Sequence, residues 1–219
     1  MSSQSPKQLL YIQFAEVAKA LGHSHRLEIL ELLAQGERSV EALAERAGLS
    51  IANASQHLRL MRRTGLLTSR RNGKQILYRL SDPAVLDLLA ALHRVAERNL
   101  AEVRDVVAGY FHQRDALEPV SRKELARRIK DGQVTVLDVR PEDEFAAGHL
   151  PRAINIPLRE LPRRLRDLPK SREVVAYCRG PYCVLAFEAA SLLRKHGFDV
   201  RRLEGGYPEW EAAGLPVLR

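Results

Sequence analysis

The chain has 219 residues, and its 45% hydrophobic content is enough to bury ordinary cores in one or two domains. No apolar run approaches the about 18 residues of a membrane-spanning helix, and the first residues lack the order of a signal peptide, so we expect a cytoplasmic protein with no membrane partner. The net charge of +8 favours a polyanion as a partner.

Helical patterns open the chain. Apolar residues recur at helical spacing over residues 8–21 and 26–33. Ser39 and Ser50 can cap two further helices, ending near residues 47 and 62, with a tight turn at Gly48 between them. Helix, short turn and helix is the geometry that lets a second helix enter the major groove of DNA.

A hairpin and a long helix follow. Strand patterns over residues 66–71 and 75–80 are joined by Asn72-Gly73, which is typical of a tight hairpin turn. Asp82-Pro83 then resembles the start of a helix, which we predict to continue to about Tyr110. The apolar stripe along this helix has no evident partner within so small a domain, and a homodimer would cover it.

Positive charge is concentrated on the second helix of the pair and on the hairpin. No acidic residue occurs between Glu45 and Asp82, whereas basic residues are frequent there. Arginine and lysine hold phosphates, and short polar side chains can bind base edges. A solvated basic face is the alternative. The predicted DNA-binding residues are Ser50, Asn53, Ser55, Gln56, His57, Arg59, Arg62, Arg70, Arg71 and Lys74.

This part of the chain resembles the ArsR family of winged-helix repressors. The likeness is carried by residues 27–33 (LEILELL), residues 50–58 (SIANASQHL), the segment Met61–Gly65 and the hairpin tip at residues 70–74. It covers about residues 5–110. The resemblance implies a mainly α winged helix-turn-helix that binds double-stranded operator DNA as a homodimer, with residues 8–21 and the long helix at the dimer interface.

Many members of that family sense metals, but the usual ligands are missing here. Where metal-sensing members carry a Cys-Val-Cys segment, this chain has Ser39 and Glu41, which does not favour a soft metal. His93 and Glu97 lie one helical turn apart and either ligate zinc together with a partner subunit or form a solvated polar edge. We predict no metal and no cofactor, which leaves a metal-responsive repressor with little support.

The second half of the chain alternates strands and helices. We predict a DNA-binding and dimerisation domain over residues 1–112, a linker over 113–119 and a second domain over 120–219. In that domain, Val174-Val175-Ala176 indicates a buried strand, and residues 185–196 form a helical pattern closed by Gly197. Cys178 therefore lies in a strand-to-helix loop, where free backbone N–H groups and the helix dipole favour a thiolate.

The loop and its upstream motifs resemble the rhodanese family. The motifs are Val134–Arg140, Pro141–Phe145, Gly148–Leu150, Ala153–Pro157 and the closing segment Gly205–Trp210. The resemblance implies an α/β domain with a parallel sheet and helices on both faces. It also implies that Cys178 carries a persulfide, taking sulfane sulfur from a donor and passing it to a thiol acceptor. The predicted substrate-binding loop is Arg179, Gly180, Pro181, Tyr182 and Cys183.

Some roles stay open at this stage. Arg179 adds positive charge beside Cys178, and Asp138 and Arg140 either orient the loop or form an internal ion pair. Cys183 is either a resolving thiol or a small buried residue. Arginine at position 184, which a phosphatase or arsenate reductase requires, is replaced by Val184.

Together the two halves predict a DNA-binding regulator in which sulfur status at Cys178 alters operator affinity. The alternative is a sulfurtransferase, using thiosulfate or a persulfide, whose DNA-binding domain regulates its own gene. The sequence does not decide whether the chain acts as an enzyme.

Overall fold

The computed structural model describes residues 5–112 and 119–219 of the chain. They form two compact units that divide between Ala91 and Leu92. The linker predicted over residues 113–119 lies outside the described residues except for Pro119. Within the described ranges, no helix is both long enough and apolar enough to cross a membrane.

The first unit opens with the predicted helix-turn-helix. Its helices are α1 (Pro6–Leu21), α2 (Ser24–Leu33), α3 (Val40–Arg46) and α4 (Ile51–Arg63). Ser39 accepts a hydrogen bond from the Ala42 N–H at 3.3 Å, and Ser50 caps α4 in the same way. Gly48 adopts φ 62° in the turn between α3 and α4, a conformation that favours glycine. The two serine caps confirm the predicted helix starts.

A small antiparallel sheet completes this unit. Its strands are β1 (Arg38–Ser39), β2 (Leu67–Asn72) and β3 (Gln75–Leu80), in the order β1-β3-β2. The pair β2 and β3 is the predicted hairpin, with Gly73 at φ 60° in its turn. The buried core beneath includes Ile29, Leu30, Leu43, Leu58, Met61 and Leu67.

The long helix is not continuous. It comprises α5 (Ala84–Asn99), α6 (Ala101–Val106) and a π-helical turn (Val107–His112), so the prediction of one helix to Tyr110 was wrong. Leu100 interrupts it with extended backbone angles, φ −103° and ψ 119°. Beyond the break, the Phe111 ring packs on Phe187 with centroids 4.8 Å apart. A local sequence pattern does not predict this contact between distant residues.

The second unit is built on a parallel sheet. Its strands are β4 (Val134–Asp138), β5 (Ala153–Asn155), β6 (Glu173–Tyr177) and β7 (Val200–Arg202), in the order β5-β4-β6-β7. Neighbouring strands pair in parallel throughout. The buried strand predicted from Val174-Val175-Ala176 is therefore the second of the two central strands.

Helices cover both faces of this sheet, as predicted. They are α7 (Arg122–Lys130), α8 (Glu142–Ala147), α9 (Val184–Lys195) and α10 (Tyr207–Ala212), with two short 3-10 turns (Leu161–Arg163 and Leu165–Asp167). Val174 and Ala176 share a core with α9 on one face. Val175 and Tyr177 share the opposite core with α7 and α10. This alternation follows from the two-residue period of a strand.

Candidate functional site

The Cys178 loop, residues 178–183, connects β6 to α9. Cys178 directly follows the last residue of β6, and Cys183 is the N-cap residue of α9. The Cys183 N–H donates to the Gly180 carbonyl at 3.1 Å, which folds the loop into a turn. The two sulfur atoms are bonded to each other, with the Cα atoms 6.1 Å apart. The fold thus brings together the two cysteines whose relationship the sequence left open.

The closing segment packs directly on this loop. The Tyr207 N–H donates to the Cys178 carbonyl at 3.0 Å. At Gly206, an added Cβ would lie 2.4 Å from the Gly180 nitrogen and 2.5 Å from the Cys178 carbonyl oxygen, so only glycine fits without backbone movement. The resemblance identified the segment, but the close approach at Gly206 depends on packing between distant residues.

Arg179 is anchored to a neighbouring helix. Its guanidinium forms an ion pair with the Glu144 carboxylate of α8, with Nη2 and Oε1 2.7 Å apart and Nε and Oε2 3.0 Å apart. The Glu144 side chain is fully buried. The charge of Arg179 is therefore partnered by a carboxylate, which reduces the stabilisation that it can give a thiolate at Cys178. Sequence reasoning missed Glu144 because nothing local links residues 35 positions apart.

Asp138 and Arg140 form an ion pair inside the turn that follows β4. Both side chains are fully buried, and Arg140 Nη2 lies 2.6 Å from Asp138 Oδ2. Arg140 also donates to the Gly148 carbonyl at 2.7 Å and lies over the Tyr207 ring, 4.5 Å from its centroid. Of the two roles left open by the sequence, this geometry corresponds to the internal ion pair. Through Tyr207 the pair supports the closing segment.

Tyr182 links the Cys178 loop to α5 and to the residues that follow it. Its ring meets the His93 imidazole with centroids 5.2 Å apart and the Phe111 ring at 5.9 Å. Burial, together with the hydrogen bond to the Glu97 carboxylate, raises the pKa of the Tyr182 phenol. The phenol thus remains protonated at neutral pH and donates to Glu97. His93 and Glu97, considered from the sequence as zinc ligands or as a polar edge, here contact the loop.

The described residues contain no group of three His, Cys, Asp or Glu side chains that could hold a metal ion. Burial lowers the pKa of His93, with the Glu97 charge acting in the opposite direction. The half-buried imidazole therefore favours its neutral form, which suits an aromatic contact with Tyr182.

In the first unit, α4 presents a mixed polar and basic face. Asn53, Gln56 and Arg59 are exposed, whereas Ser55 is half-buried and the Ser50 hydroxyl caps the helix. One surface depression is lined by Gln56, Arg59, Leu60, Arg62 and Arg63. Arg63, absent from the predicted set of DNA-binding residues, therefore lies beside three of its members.

His57 is more buried than Asn53 and Gln56 on α4. Its ring is half-buried, with centroids 4.6 Å from His23 and 6.2 Å from His25. Burial lowers the pKa of His57, and the charges of His23, Arg26 and His25 act in the same direction. The His57 ring thus packs against the start of α2, whereas Asn53 and Gln56 are exposed.

The hairpin carries the remaining basic residues of the predicted DNA-binding set, Arg70, Arg71 and Lys74. A second depression is lined by Arg62, Ser69, Arg70, Arg71, Lys74 and Ile76. Arg62 donates to the Ser69 hydroxyl at 3.2 Å, which joins the end of α4 to β2. Arg70 pairs with the Glu37 carboxylate, with Nε 2.8 Å from Oε2. Arg71 and Lys74 are exposed near the hairpin turn.

Two family models match the chain. Residues 121–213 match the rhodanese-like domain, and residues 21–70 match a helix-turn-helix domain. The first match contains the Cys178 loop, and the second contains α4 and the hairpin as far as Arg70.

Known proteins are similar to one or both parts. The chain is 45% identical over 218 residues to the HTH-type transcriptional regulator Rv0324 of Mycobacterium tuberculosis, with 99% of this chain and 96% of that protein covered. It is 33% identical over 101 residues to a protein of Allochromatium vinosum named sulfurtransferase, covering 45% of this chain and 92% of that protein. The solution structure of a homodimeric winged helix-turn-helix DNA-binding domain from Mycobacterium bovis shares 42% identity, covers 47% of this chain and 95% of that chain, and has a TM-score of 0.42.

Proposed function

The chain belongs to the HTH-type transcriptional regulators, with a helix-turn-helix domain and a rhodanese-like domain in one polypeptide, and we propose that sulfur accepted by Cys178 changes its affinity for operator DNA. Cys178 takes a sulfane sulfur from a small donor, and thiols remove it. The state of Cys178 then determines how tightly the DNA-binding unit binds its operator, and so the level of transcription. The protein acts in the cytoplasm, where both DNA and low-molecular-weight thiols are present.

Support for the DNA-binding role comes from charge and exposure. The face formed by α4 and the β2–β3 hairpin has exposed arginine and lysine side chains on both elements. Arg59, Arg62, Arg71 and Lys74 would hold phosphates, while Asn53 and Gln56 would meet base edges in the major groove. His57 is half-buried against two other histidines, so it would help to position α4 and would not contact the bases.

The single observation that carries the sulfur-sensing proposal is the contact between Tyr182 and α5. Tyr182 belongs to the Cys178 loop, and its ring and hydroxyl engage His93 and Glu97. Since α5 begins in the DNA-binding unit at Ala84, a chemical change that moves the loop acts on an element that both units share. In this proposal the protein exists in two conformations that differ in DNA affinity. Sulfur on Cys178 fits one conformation better than the other and shifts the equilibrium towards it.

A homodimer fits the apolar surface of α1 and α5. Both helices carry large apolar side chains that the monomer leaves 38% to 62% exposed. A second copy of the chain would bury this surface and pair two α4 helices for an operator with two-fold symmetry. The side chains are Leu9, Leu10, Tyr11, Ile12 and Phe14 on α1, and Leu88, Leu92 and Val95 on α5.

A second candidate is a sulfurtransferase whose DNA-binding unit controls its own gene. It is favoured by the position of Cys178 at the end of a parallel strand, in a domain similar to a protein named sulfurtransferase. The two candidates differ in what the accepted sulfur changes. An enzyme would transfer sulfur from thiosulfate to a thiol over many cycles, at a rate that does not depend on operator DNA, whereas a sensor would change its affinity for DNA when Cys178 accepts sulfur.

The test is an equilibrium titration of a labelled duplex, chosen from genomic fragments that the reduced protein retains. Full-length protein is compared before and after treatment with thiosulfate or an organic persulfide, with Cys178→Ser as the matched control. We expect the dissociation constant to change severalfold in the wild type and to stay constant in the variant. Equal binding by reduced and treated wild-type protein would refute the sensor.

A further inference from the structure

Cys183 occupies a chemically distinctive position in the Cys178 loop. It is the N-cap residue of α9, a helix of 12 residues with no acidic residue in its first turn. The partial positive charge at a helix N-terminus stabilises a thiolate at this position. Cys183 therefore has the electrostatic setting that the sequence had led us to expect for Cys178, whose neighbour Arg179 is paired with Glu144.

The loop also lets the two sulfur atoms meet within the folded domain. Cys178 and Cys183 are joined by a disulfide, and their Cα separation of 6.1 Å lies within the usual range of about 4.4–6.8 Å. The turn closed by the Cys183 N–H and the Gly180 carbonyl brings the ends of the loop together. No unfolding of β6 or α9 is needed for the sulfurs to react, since both elements are intact in the bonded state.

We propose that Cys183 resolves the persulfide on Cys178, so that the domain reduces a sulfane sulfur to sulfide and retains a Cys178–Cys183 disulfide. This inference rests on the proposed function because it begins with sulfur accepted by Cys178. It adds an activity, a product and a second reactive residue. The disulfide, and not the persulfide, is then the lasting mark of exposure to sulfane sulfur.

The reaction has three balanced steps. The Cys178 thiolate attacks the outer sulfur of thiosulfate, forming a persulfide and releasing sulfite. After protonation of the terminal sulfur, the Cys183 thiolate attacks the inner sulfur; the S–S bond of the persulfide breaks, its electron pair leaves with the terminal sulfur as HS⁻, and the disulfide forms. Two molecules of a low-molecular-weight thiol then reduce the disulfide to two cysteine thiols and become a disulfide themselves.

The Cys178–Cys183 disulfide also determines the order of the reaction steps. Cys178 cannot accept another sulfur while its own sulfur is bonded to Cys183. A regulator that works in this way responds once and is reset by the thiol pool. A transferase without a resolving thiol would instead hold its persulfide until an acceptor arrives.

The test is a single-turnover reaction of the full-length reduced protein with thiosulfate, without air and without added thiol. Thiosulfate contains no free sulfide, so released sulfide reports the resolving step. We expect about one sulfide per chain, together with a mass loss of two hydrogens and a crosslinked Cys178–Cys183 peptide. Cys183→Ser should release no sulfide and should keep one added sulfur on Cys178. Serine is a good N-cap residue, so α9 should be preserved, and Cys183→Ala provides a second check.

The outcomes separate the two proposals. Sulfur on Cys178 in Cys183→Ser, but neither sulfide nor crosslink in the wild type, overturns the resolving role and leaves the proposed function standing. Movement of the persulfide to Cys183 also overturns it. If the wild type and both Cys183 variants all fail to accept sulfur from thiosulfate and from an organic persulfide, the proposed function fails, and this inference fails with it. If only the variants fail to accept sulfur, Cys183 takes part in uptake and the resolving role is overturned.

Discussion

The Tyr182 ring lies edge-on to the His93 imidazole, with an angle of 79° between the ring planes and the centroids 5.2 Å apart. The same phenol donates to Glu97, so one loop residue engages two positions a turn apart on α5. Phe111, beyond the break at Leu100, touches the ring from a second direction. The residue next to Cys183 is thus held by His93, Glu97 and Phe111, which belong to the same compact unit as the loop.

Tyr182→Ala should uncouple sulfur chemistry from DNA binding. The substitution removes the ring contacts and the hydrogen bond but leaves both cysteines, so Cys178 should still accept sulfur. The severalfold difference in DNA affinity between reduced and treated protein should shrink towards one, since coupling energies between sites are about 1–3 kcal/mol. Anisotropy titrations with mass analysis of each sample measure both quantities. Tyr110→Phe is the matched control, because Tyr110 contacts Glu188 of α9 and lies outside the loop. A Tyr182→Ala protein with undiminished DNA response would exclude this route.

Gly206→Ala should damage the loop through steric overlap. The added methyl group would meet backbone atoms of Cys178 and Gly180 at 2.4–2.5 Å. Relief requires backbone displacement, with a destabilisation of about 1–3 kcal/mol or more. We expect a lower midpoint of unfolding and slower sulfur uptake at Cys178. Gly109→Ala is the control, because its added Cβ meets nothing within 4 Å. Wild-type stability and uptake in Gly206→Ala would contradict the close packing of the closing segment on the Cys178 loop.

Arg71→Ala combined with Lys74→Ala should weaken binding to all duplexes. Both side chains are exposed on the hairpin, whereas Arg70 is engaged with Glu37. Each phosphate contact contributes about 0.9 to the slope of log affinity against log salt, and a homodimer loses two contacts per chain, so the double variant should lower that slope by about 3.6. Titrations at several salt concentrations provide the measurement. Lys130→Ala with Lys195→Ala removes equal charge from exposed positions in the second unit and should leave the slope unchanged. An unaltered slope in the hairpin variant would remove the hairpin from the DNA interface.

The histidine cluster predicts a pH dependence of local stability. The pKa of His57 is lowered in the folded protein by burial and by His23, Arg26 and His25. Below about pH 6.5, His57 therefore binds a proton more readily in the unfolded state than in the folded state. The free energy of unfolding falls as the pH decreases towards the pKa of His57 in the folded protein. Amide hydrogen exchange in α2 and α4 should accelerate over this range after correction for intrinsic rates. His57→Gln should flatten that dependence, whereas His196→Gln in the other unit should not. A wild-type profile that stays flat would contradict the lowered pKa.

Much of the fold follows from local chemistry that the sequence displays. Ser39 and Ser50 begin their helices because each can satisfy a free backbone N–H. Asn72-Gly73 sets the hairpin turn because glycine tolerates the positive φ found there. The order of strand, cysteine loop and helix around Cys178 is likewise visible in hydrophobic spacing.

The features that escaped prediction depend on contacts between distant residues. Nothing near Arg179 indicates its ion pair with Glu144, and nothing near Leu100 encodes the break before Phe111 docks. The orientation of His57 likewise depends on α2, because a helical pattern shows which side chains share a face but not which elements cover it.

The most direct measurement follows DNA affinity and the chemical state of Cys178 in the same samples. A preformed complex of reduced protein and duplex is titrated with thiosulfate, and each aliquot is divided between anisotropy and peptide mass analysis. We expect the bound fraction to change in proportion to modification of Cys178, as persulfide or as disulfide, and a thiol reductant to restore it. Full modification of Cys178 with no change in the bound fraction would contradict sulfur control of DNA binding.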